Sequence, residues 1–370
     1  MGDSARSHDC FGHLPSTVNG MVAQSRSMVP SSTLSSLSRP APLPSPTPPR
    51  PNLFLMTFRF GVSVVALATI VGTLLSVLQP EKLSLETTAS QAIAPEAPIP
   101  NLPPERPLTN LQQQIQQLVS RQPNLAAGLY FFNLDSGASL NVGGDAVFPA
   151  ASTIKFPILV AFFKAVDEGR VTLHERLTMR PDLIASEAGT LQYQKPNSQY
   201  PALEVADLMI TISDNTATNM IIDRLGGAAV LNQQFQEWGL ENTVINNLLP
   251  DMKGTNTTSP RDLATLMLKI GQGEIVSPRS RDRLLDIMRR TVTNTLLPAG
   301  LGKGATIAHK TGDIGIVVGD VGMVDMPNGQ RYVAAMMVKR PYNDPRGSEL
   351  IRQVSRMAYQ AFEKLPPPQP

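Results

Sequence analysis

Ser152-Thr153-Ile154-Lys155-Phe156-Pro157-Ile158-Leu159-Val160-Ala161-Phe162-Phe163 sets a hydroxyl and an amine three residues apart at the head of an apolar run. A run that is apolar nearly all round predicts a helix buried on every side. Pro157 fits only the first turn of that helix, where its missing N–H costs nothing. Ser152 therefore sits at the helix start, where backbone N–H groups point outward, and Lys155 lies about one turn up on the same face. A serine hydroxyl needs a proton acceptor to become a nucleophile at neutral pH. A buried lysine loses solvation, its pKa falls, and it can be that acceptor.

This helix stands in the middle of a chain whose two ends read as strands. On its N-terminal side, residues 125–134 and 138–142 are strand-like runs joined by Asp135-Ser136-Gly137, a hairpin signal. Before them Leu111, Ile115, Leu118 and Val119 recur at helical spacing. From Thr153 to about Arg290 the pattern is mostly helical, with segments at 202–212, 216–225 (stopped by Gly226-Gly227), 260–270 and 278–289. The last two open at Pro after a Ser cap. Strand character returns at 306–309, 317–326 and 331–338, the last two joined across Pro327-Asn328-Gly329. A final helix runs over 347–362. The order predicts an α/β (α+β) fold: a five-stranded antiparallel sheet assembled from both ends, flanked by terminal helices and set beside an all-helical lobe. The cleft between sheet and lobe is the expected place for a site.

Residues 1–52 are rich in Ser and Pro and poor in bulky apolar residues, so they cannot offset their ordering entropy and read as disordered. Residues 53–79 are expected to be a transmembrane signal-anchor, because 60–78 (FGVSVVALATIVGTLLSVL) are uncharged and long enough to span a bilayer. Arg50 and Arg59 precede this stretch while Glu81, Lys82 and Glu86 follow it. That bias leaves the N-terminus in the cytoplasm and exports the rest. A cleaved signal peptide is the competing reading, although no A-x-A-like site follows cleanly. Met56-Thr57-Phe58-Arg59 reads as a second candidate start. Residues 80–107 form a proline-rich linker, and 108–365 the catalytic domain.

The chain has 370 residues and a net charge of +2, with no basic stripe of the kind that grips nucleic acid. Cys10 is its only cysteine, which leaves neither a disulfide framework nor a thiolate metal site. His8, His13, His174 and His309 are scattered without the pairing of a helical zinc site. No metal and no cofactor are expected.

Two further motifs follow the first in order. Ser213-Asp214-Asn215 falls between two helical segments, and Lys310-Thr311-Gly312 follows His309 on a strand. With Ser152-x-x-Lys155 they complete a trio by which the chain resembles the class A β-lactamases, within the serine penicillin-recognising enzymes. The resemblance covers about 111–362 and extends through Leu208-Met209-Ile210-Thr211-Ile212-Ser213-Asp214-Asn215-Thr216-Ala217-Thr218-Asn219. It implies a β-lactamase/transpeptidase-like fold, an acylated Ser152, and Lys155 as its proton partner. Ser213 would relay a proton to the leaving nitrogen, and Asn215 would hydrogen-bond both substrate and Lys155. Lys310 and Thr311 would hold the substrate carboxylate, and Gly312 would let the strand lie flush against substrate. The N–H groups of Ser152 and Asp313 would form the oxyanion hole.

The sequence departs from the family at one position. Class A enzymes carry a glutamate, in an E-x-x-L-N phrase, that activates the deacylating water. The corresponding stretch here, 244–254, holds no glutamate, and Leu249 stands in its place before Pro250. Asp251 is the nearby carboxylate and the candidate base; Glu187 and Glu241 lie outside the phrase. The resemblance thus implies a serine hydrolase that opens β-lactam amides through acyl-Ser152, as in β-lactam catabolism and resistance. The alternatives are a D-alanyl-D-alanine carboxypeptidase-like or esterase cell-wall hydrolase, or a slowly deacylating β-lactam sensor. The expected setting is a bacterial inner membrane, with a monomeric catalytic domain on the periplasmic side. The expected partners are a small-molecule substrate and, through the anchor, the membrane.

Overall fold

The computed structural model describes residues 102–366. The expectations for 1–52, for the anchor at 53–79 and for most of the linker lie outside the described residues.

In chain order the elements are β1 (Arg106–Pro107), α1 (Thr109–Ser120), β2 (Ala126–Asn133), β3 (Ala138–Val142) and β4 (Phe148–Pro149). Next come α2 (Lys155–Asp167), β5 (Arg176–Thr178), β6 (Gln199–Pro201), α3 (Ala202–Thr211), α4 (Asn215–Arg224) and α5 (Ala228–Glu237). The chain closes with β7 (Thr257–Thr258), α6 (Pro260–Gln272), α7 (Pro278–Arg289), β8 (Thr306–Asp313), β9 (Val317–Asp325), β10 (Arg331–Lys339) and α8 (Pro345–Glu363).

The main sheet runs β1-β3-β2-β10-β9-β8. Its five long strands are antiparallel, as the segment order predicts, with Tyr332 opposite Asn133 and Lys310 opposite Val321. The sixth, β1, pairs parallel with β3 inside the proline-rich stretch, where no strand period exists to announce it. Backbone bonds at its start and just past its end fix it instead: Arg106 N–H donates to Gly137 O and Leu108 N–H to Ser139 O.

Strand alternation divides the apolar side chains between two cores. Tyr332, Ala334, Met336 and Val338 of β10 face α1 and α8, while Val333, Ala335 and Met337 face the helical lobe. With both faces covered, these strands read as continuous apolar runs. α2 lies at the centre of the lobe, with Phe156 and Ile158 through Phe163 entirely buried. α6 and α7 begin as their sequences predict, Ser259 accepting from Asp262 N–H and Ser277 from Ser280 N–H, each with Pro at the first helical position. The β9–β10 hairpin turns at Gly329, whose φ of +86° needs glycine.

Candidate active site

The chain enters α2 through a 3₁₀ turn, Ala151–Ile154, so Ser152 lies just before the helix and not in it. Ala151 has φ +47°, a left-handed conformation that a non-glycine residue adopts only when its surroundings impose it. The surroundings are visible. Ala150 N–H donates to Asn256 O (2.7 Å), Thr153 Oγ1 donates to Ala150 O (2.5 Å), and β8 presses on the turn from the other side. A Cβ placed on Gly312 would lie 2.9 Å from the backbone nitrogens of both Ser152 and Thr153. The glycine of Lys310-Thr311-Gly312 is therefore required by backbone packing against the Ser152 turn, beyond the flat strand surface that the resemblance implies.

Lys155 is fully buried, and its Nζ donates to Ser213 O (2.6 Å), Ser213 Oγ (3.1 Å) and Asn215 Oδ1 (2.7 Å). Burial drives its pKa well below the ordinary lysine value, the charge of Lys310 adds to the depression, and Asp214 opposes it. No carboxylate is among its hydrogen-bond partners, so the amine is poised to lose its proton and then to accept one. Lys310, also fully buried, donates to Thr311 O (2.7 Å) and to Ser213 Oγ (3.2 Å). Its pKa is drawn down by burial to about 8, against the pull of Asp320. Ser213 Oγ thus stands between two lysines. Its backbone φ of +60° is a second strained point, fixed by the Lys155 bond to its carbonyl.

Asp214 caps α4 and faces away from this chemistry. Its carboxylate accepts from Ala217 N–H (2.8 Å), Thr190 N–H (2.7 Å) and Leu191 N–H (2.8 Å), which binds the 186–191 loop to the helix. Asn215 holds the same loop, since its Nδ2 donates to Ser186 O (2.7 Å) and its own N–H donates to Ala188 O (3.1 Å). Asp313, half-exposed at the end of β8, has its carboxylate paired with the buried Arg340 at 2.6 and 2.7 Å. That pair fixes the residue whose N–H belongs to the expected oxyanion hole.

The loop facing this cluster is closed by its own polar groups. Asp251 is buried, with Oδ1 accepting from Thr255 Oγ1 (2.8 Å) and Oδ2 from Asn256 N–H (2.6 Å). Both of its oxygens serve the loop that carries Asn256 to Ala150. Leu249 is 7% exposed and packs in the lobe core. Its N–H donates to Asn219 Oδ1 (2.9 Å) and its carbonyl accepts from Asn219 Nδ2 (2.7 Å), one helical turn past Asn215.

Sequence reasoning did not single out the bonding roles of Asn219, Asn256 or Thr291. Thr291 Oγ1 donates to His309 O (2.7 Å) beside Lys310, and Val292 N–H donates to Thr211 O (2.9 Å) near Ser213. The segment after α7 therefore straps β8, which carries Lys310, to the end of α3 just before Ser213. Its Thr and Val carry no period or charge that could have shown this. Among the described residues no group of His, Cys, Asp or Glu is arranged to hold a metal ion. His309 instead binds Asp320 through Nδ1 at 3.0 Å.

Comparison with known proteins agrees with this geometry. The profile of the β-lactamase enzyme family matches residues 110–362. Extended-spectrum β-lactamase PER-1 of Pseudomonas aeruginosa is 27% identical over 277 residues, covering 68% of this chain and 86% of that protein. The solved structure of a protein called PBP-A is 96% identical, covering 71% of this chain and all of that one, with a TM-score of 0.71. A leucine-to-glutamate variant of PBP-A, 95% identical with the same coverage and TM-score, was captured as an acyl-enzyme complex with penicillin G.

Proposed function

The chain belongs to the β-lactamase enzyme family, and on that premise we propose that its Ser152 is acylated quickly by β-lactams and released slowly. It is a serine hydrolase of the β-lactamase type. In the acylating step Lys155, as the neutral amine, takes the Ser152 proton while Oγ attacks the lactam carbonyl. The oxygen becomes an oxyanion facing the Ser152 and Asp313 N–H groups. The C–N bond then breaks, and the nitrogen leaves with a proton passed through Ser213, whose Oγ lies 3.1 Å from Lys155 Nζ and 3.2 Å from Lys310 Nζ. Lys310 and Thr311 receive the substrate carboxylate.

One observation carries the slow release. The backbone of Leu249 is clamped on both sides by Asn219, one turn from Asn215. The loop position where the family has its base therefore presents an apolar side chain, while Asp251 spends both oxygens on its loop. Capture of a PBP-A variant as an acyl-enzyme with penicillin G supports acylation by a penicillin on this framework. Mass spectrometry of the protein mixed with penicillin G tests the reading. A mass increase of one penicillin, mapping to Ser152 and outlasting many turnover times of an ordinary β-lactamase, is expected. Absence of any adduct in Ser152→Ala completes the assignment, whereas turnover without a detectable adduct would refute it.

The same reading places the domain behind a single membrane span at 60–78, on the periplasmic side of a bacterial inner membrane, as a monomer. Among the described residues no helix is long and apolar enough to cross a membrane. Fractionation of cells decides the location: the full-length protein is expected in the membrane pellet, and a soluble form beginning just after residue 78 would show a cleaved leader instead.

A further inference from the structure

Lys310 and Asp320 have no exposed surface, and neither touches a permanent opposite charge. Lys310 Nζ donates to Thr311 O (2.7 Å) and Ser213 Oγ (3.2 Å), with no carboxylate among its partners. The Asp320 carboxylate accepts from Leu297 N–H (3.1 Å) and meets His309 Nδ1 (3.0 Å), with no lysine or arginine among its own. A charge buried without compensation is costly to the fold. The sheet brings these two together. β8 and β9 are antiparallel, with Thr311 opposite Asp320 and Lys310 opposite Val321, so Lys310 and Asp320 are diagonal neighbours. Strand alternation sends Lys310 to the lobe side with Ala308 and Val321, and Asp320 to the α8 side with Val318 and Val324. One layer of backbone separates the two charges, and solvent reaches neither.

The other charged groups around them are engaged elsewhere. On the facing wall Lys155 serves as the neutral amine, and Asp214 caps α4. At the end of β8 Asp313 is paired with Arg340. At the end of α7, the helix packed beside β8, Arg289 pairs with Asp325, and Arg290 with Asp207 and Asp286. On α8 Arg352 pairs with Glu349, and Arg356 is exposed. Among the described residues, Lys310 and Asp320 remain as a buried cation and a buried anion that only each other can balance.

We propose that Asp320, acting through the sheet from behind the cleft, is a positioning residue that keeps Lys310 a cation for the substrate carboxylate. The attraction crosses a dry layer of low dielectric, where charges are felt further than in water and salt screens them little. Its direction agrees with the state of Lys310, which burial draws down to about 8 while Asp320 holds it up. His309 keeps the carboxylate in place by donating Nδ1–H as a neutral ring, which leaves the negative charge whole. The inference rests on the reading in which Lys310 receives substrate during acylation of Ser152, and adds to it a residue that never touches substrate.

The test is the second-order rate constant for acylation by benzylpenicillin, measured across the falling limb from about pH 6 to about pH 10. In wild type that limb is expected at about 8. Asp320→Asn removes the charge at nearly constant shape and should move the limb down by about one pH unit, a tenfold change in proton affinity. Its rate deficit should then be slight at about pH 6 and about tenfold at about pH 9. A purely structural role would give the same deficit at every pH. In a Lys310→Arg background, where the charge does not titrate, the cost of Asp320→Asn should likewise be independent of pH. His309→Lys is the second variant: it leaves Asp320 in place but pairs it, and should move the limb in the same direction. His309→Gln, which can still donate, should leave the limb at about 8. A limb that stays at about 8 in Asp320→Asn, or in His309→Lys should the first variant not fold, would overturn the inference. Absence of labelling in wild type would instead strike at acylation of Ser152, so the two readings fail separately.

Discussion

Around Ser152 the two lysines converge on the side chains of Ser213 and Asn215, whereas along 246–256 most of the polar side chains bond to backbone. Lys155, Ser213, Asn215 and Lys310 form one connected network whose hydrogen-bonded side-chain atoms lie 2.7 to 3.2 Å apart. In the facing loop, Asn219 grips Leu249, and Asn256 Oδ1 accepts from Asn246 N–H and Asn247 N–H at 2.8 and 2.9 Å. Asp251 grips Asn256 in turn. The first region is shaped by chemistry, and the second is shaped to hold its place. A loop held through backbone keeps its form whatever side chain stands at 249, so a deacylating base can be absent without disturbing the acylating half.

The largest effect expected from breaking the network is on acylation. Lys155→Ala removes the proton acceptor and should slow covalent labelling by a fluorescent penicillin about 10²- to 10⁴-fold. Melting should move little or upward, because a buried amine with a depressed pKa is costly to keep in the folded state. An undiminished labelling rate would show that another group takes the Ser152 proton.

Leu249→Glu is the complementary change in the other region. Asn219 holds the backbone of residue 249 through both its N–H and its carbonyl, so the loop is expected to keep its place when the side chain there becomes a carboxylate. Deacylation, followed as decay of the penicillin adduct, should accelerate about 10- to 100-fold, below the full worth of an evolved general base. An unchanged adduct lifetime would mean that water, and not only the base, is excluded. Asp251→Asn tests the same loop from the other side. Because both Asp251 oxygens accept hydrogen bonds, the amide can keep only part of that set, and the expected result is lowered stability with no specific loss of turnover.

Acidity gives a third test, about tenfold in size. As the proposed partner of the substrate carboxylate, Lys310 can act only when protonated, and burial draws its pKa down to about 8. Acylation efficiency should therefore fall as pH rises through about 8, through weaker substrate binding. Folding runs the other way. The unfolded chain binds more protons at this lysine between about 8 and its ordinary 10.5, so stability contributed at this site rises with pH across that window. Lys310→Arg keeps the charge at high pH and should flatten the falling limb.

Much of this was legible in the sequence, for reasons that differ by element. The strands showed because alternation feeds two cores, and α6 and α7 showed because Ser259 and Ser277 cap them ahead of a proline. α5 was not read as a separate helix: it follows Gly226-Gly227 with no side-chain cap, and only Leu231 and Phe235 are buried in it. The placement of Ser152 at a helix start was one turn too generous, because a 3₁₀ turn strained at Ala151 precedes the helix. The trio of motifs singled out Lys155, Ser213, Asn215 and Lys310, which the structure joins by hydrogen bonds. What the sequence could not show was which groups fasten the others. Asn219, Asn256 and Thr291 act through bonds to backbone carbonyls or amides, which leave no period, charge or spacing behind.

Thr291 offers the smallest and sharpest test of how the two walls are joined. Its hydroxyl is buried and donates to His309 O at 2.7 Å, one residue before Lys310, while Val292 ties the same segment to Thr211, two residues before Ser213. The Ser213–Lys310 contact of 3.2 Å spans what this strap holds together. Thr291→Val keeps the shape and deletes one hydrogen bond, worth about 1 kcal/mol net of stability. A residue that merely filled space would show only that loss, as a small drop in melting temperature at unchanged acylation rate. A strap that sets the distance between Ser213 and Lys310 also lowers acylation, by about 2- to 5-fold, since misplaced proton relays lose rate steeply with distance. Thr291→Ser should restore both, because its hydroxyl can reach the same carbonyl. Loss of stability without loss of rate in Thr291→Val would show that the walls of the cleft hold their spacing without the strap.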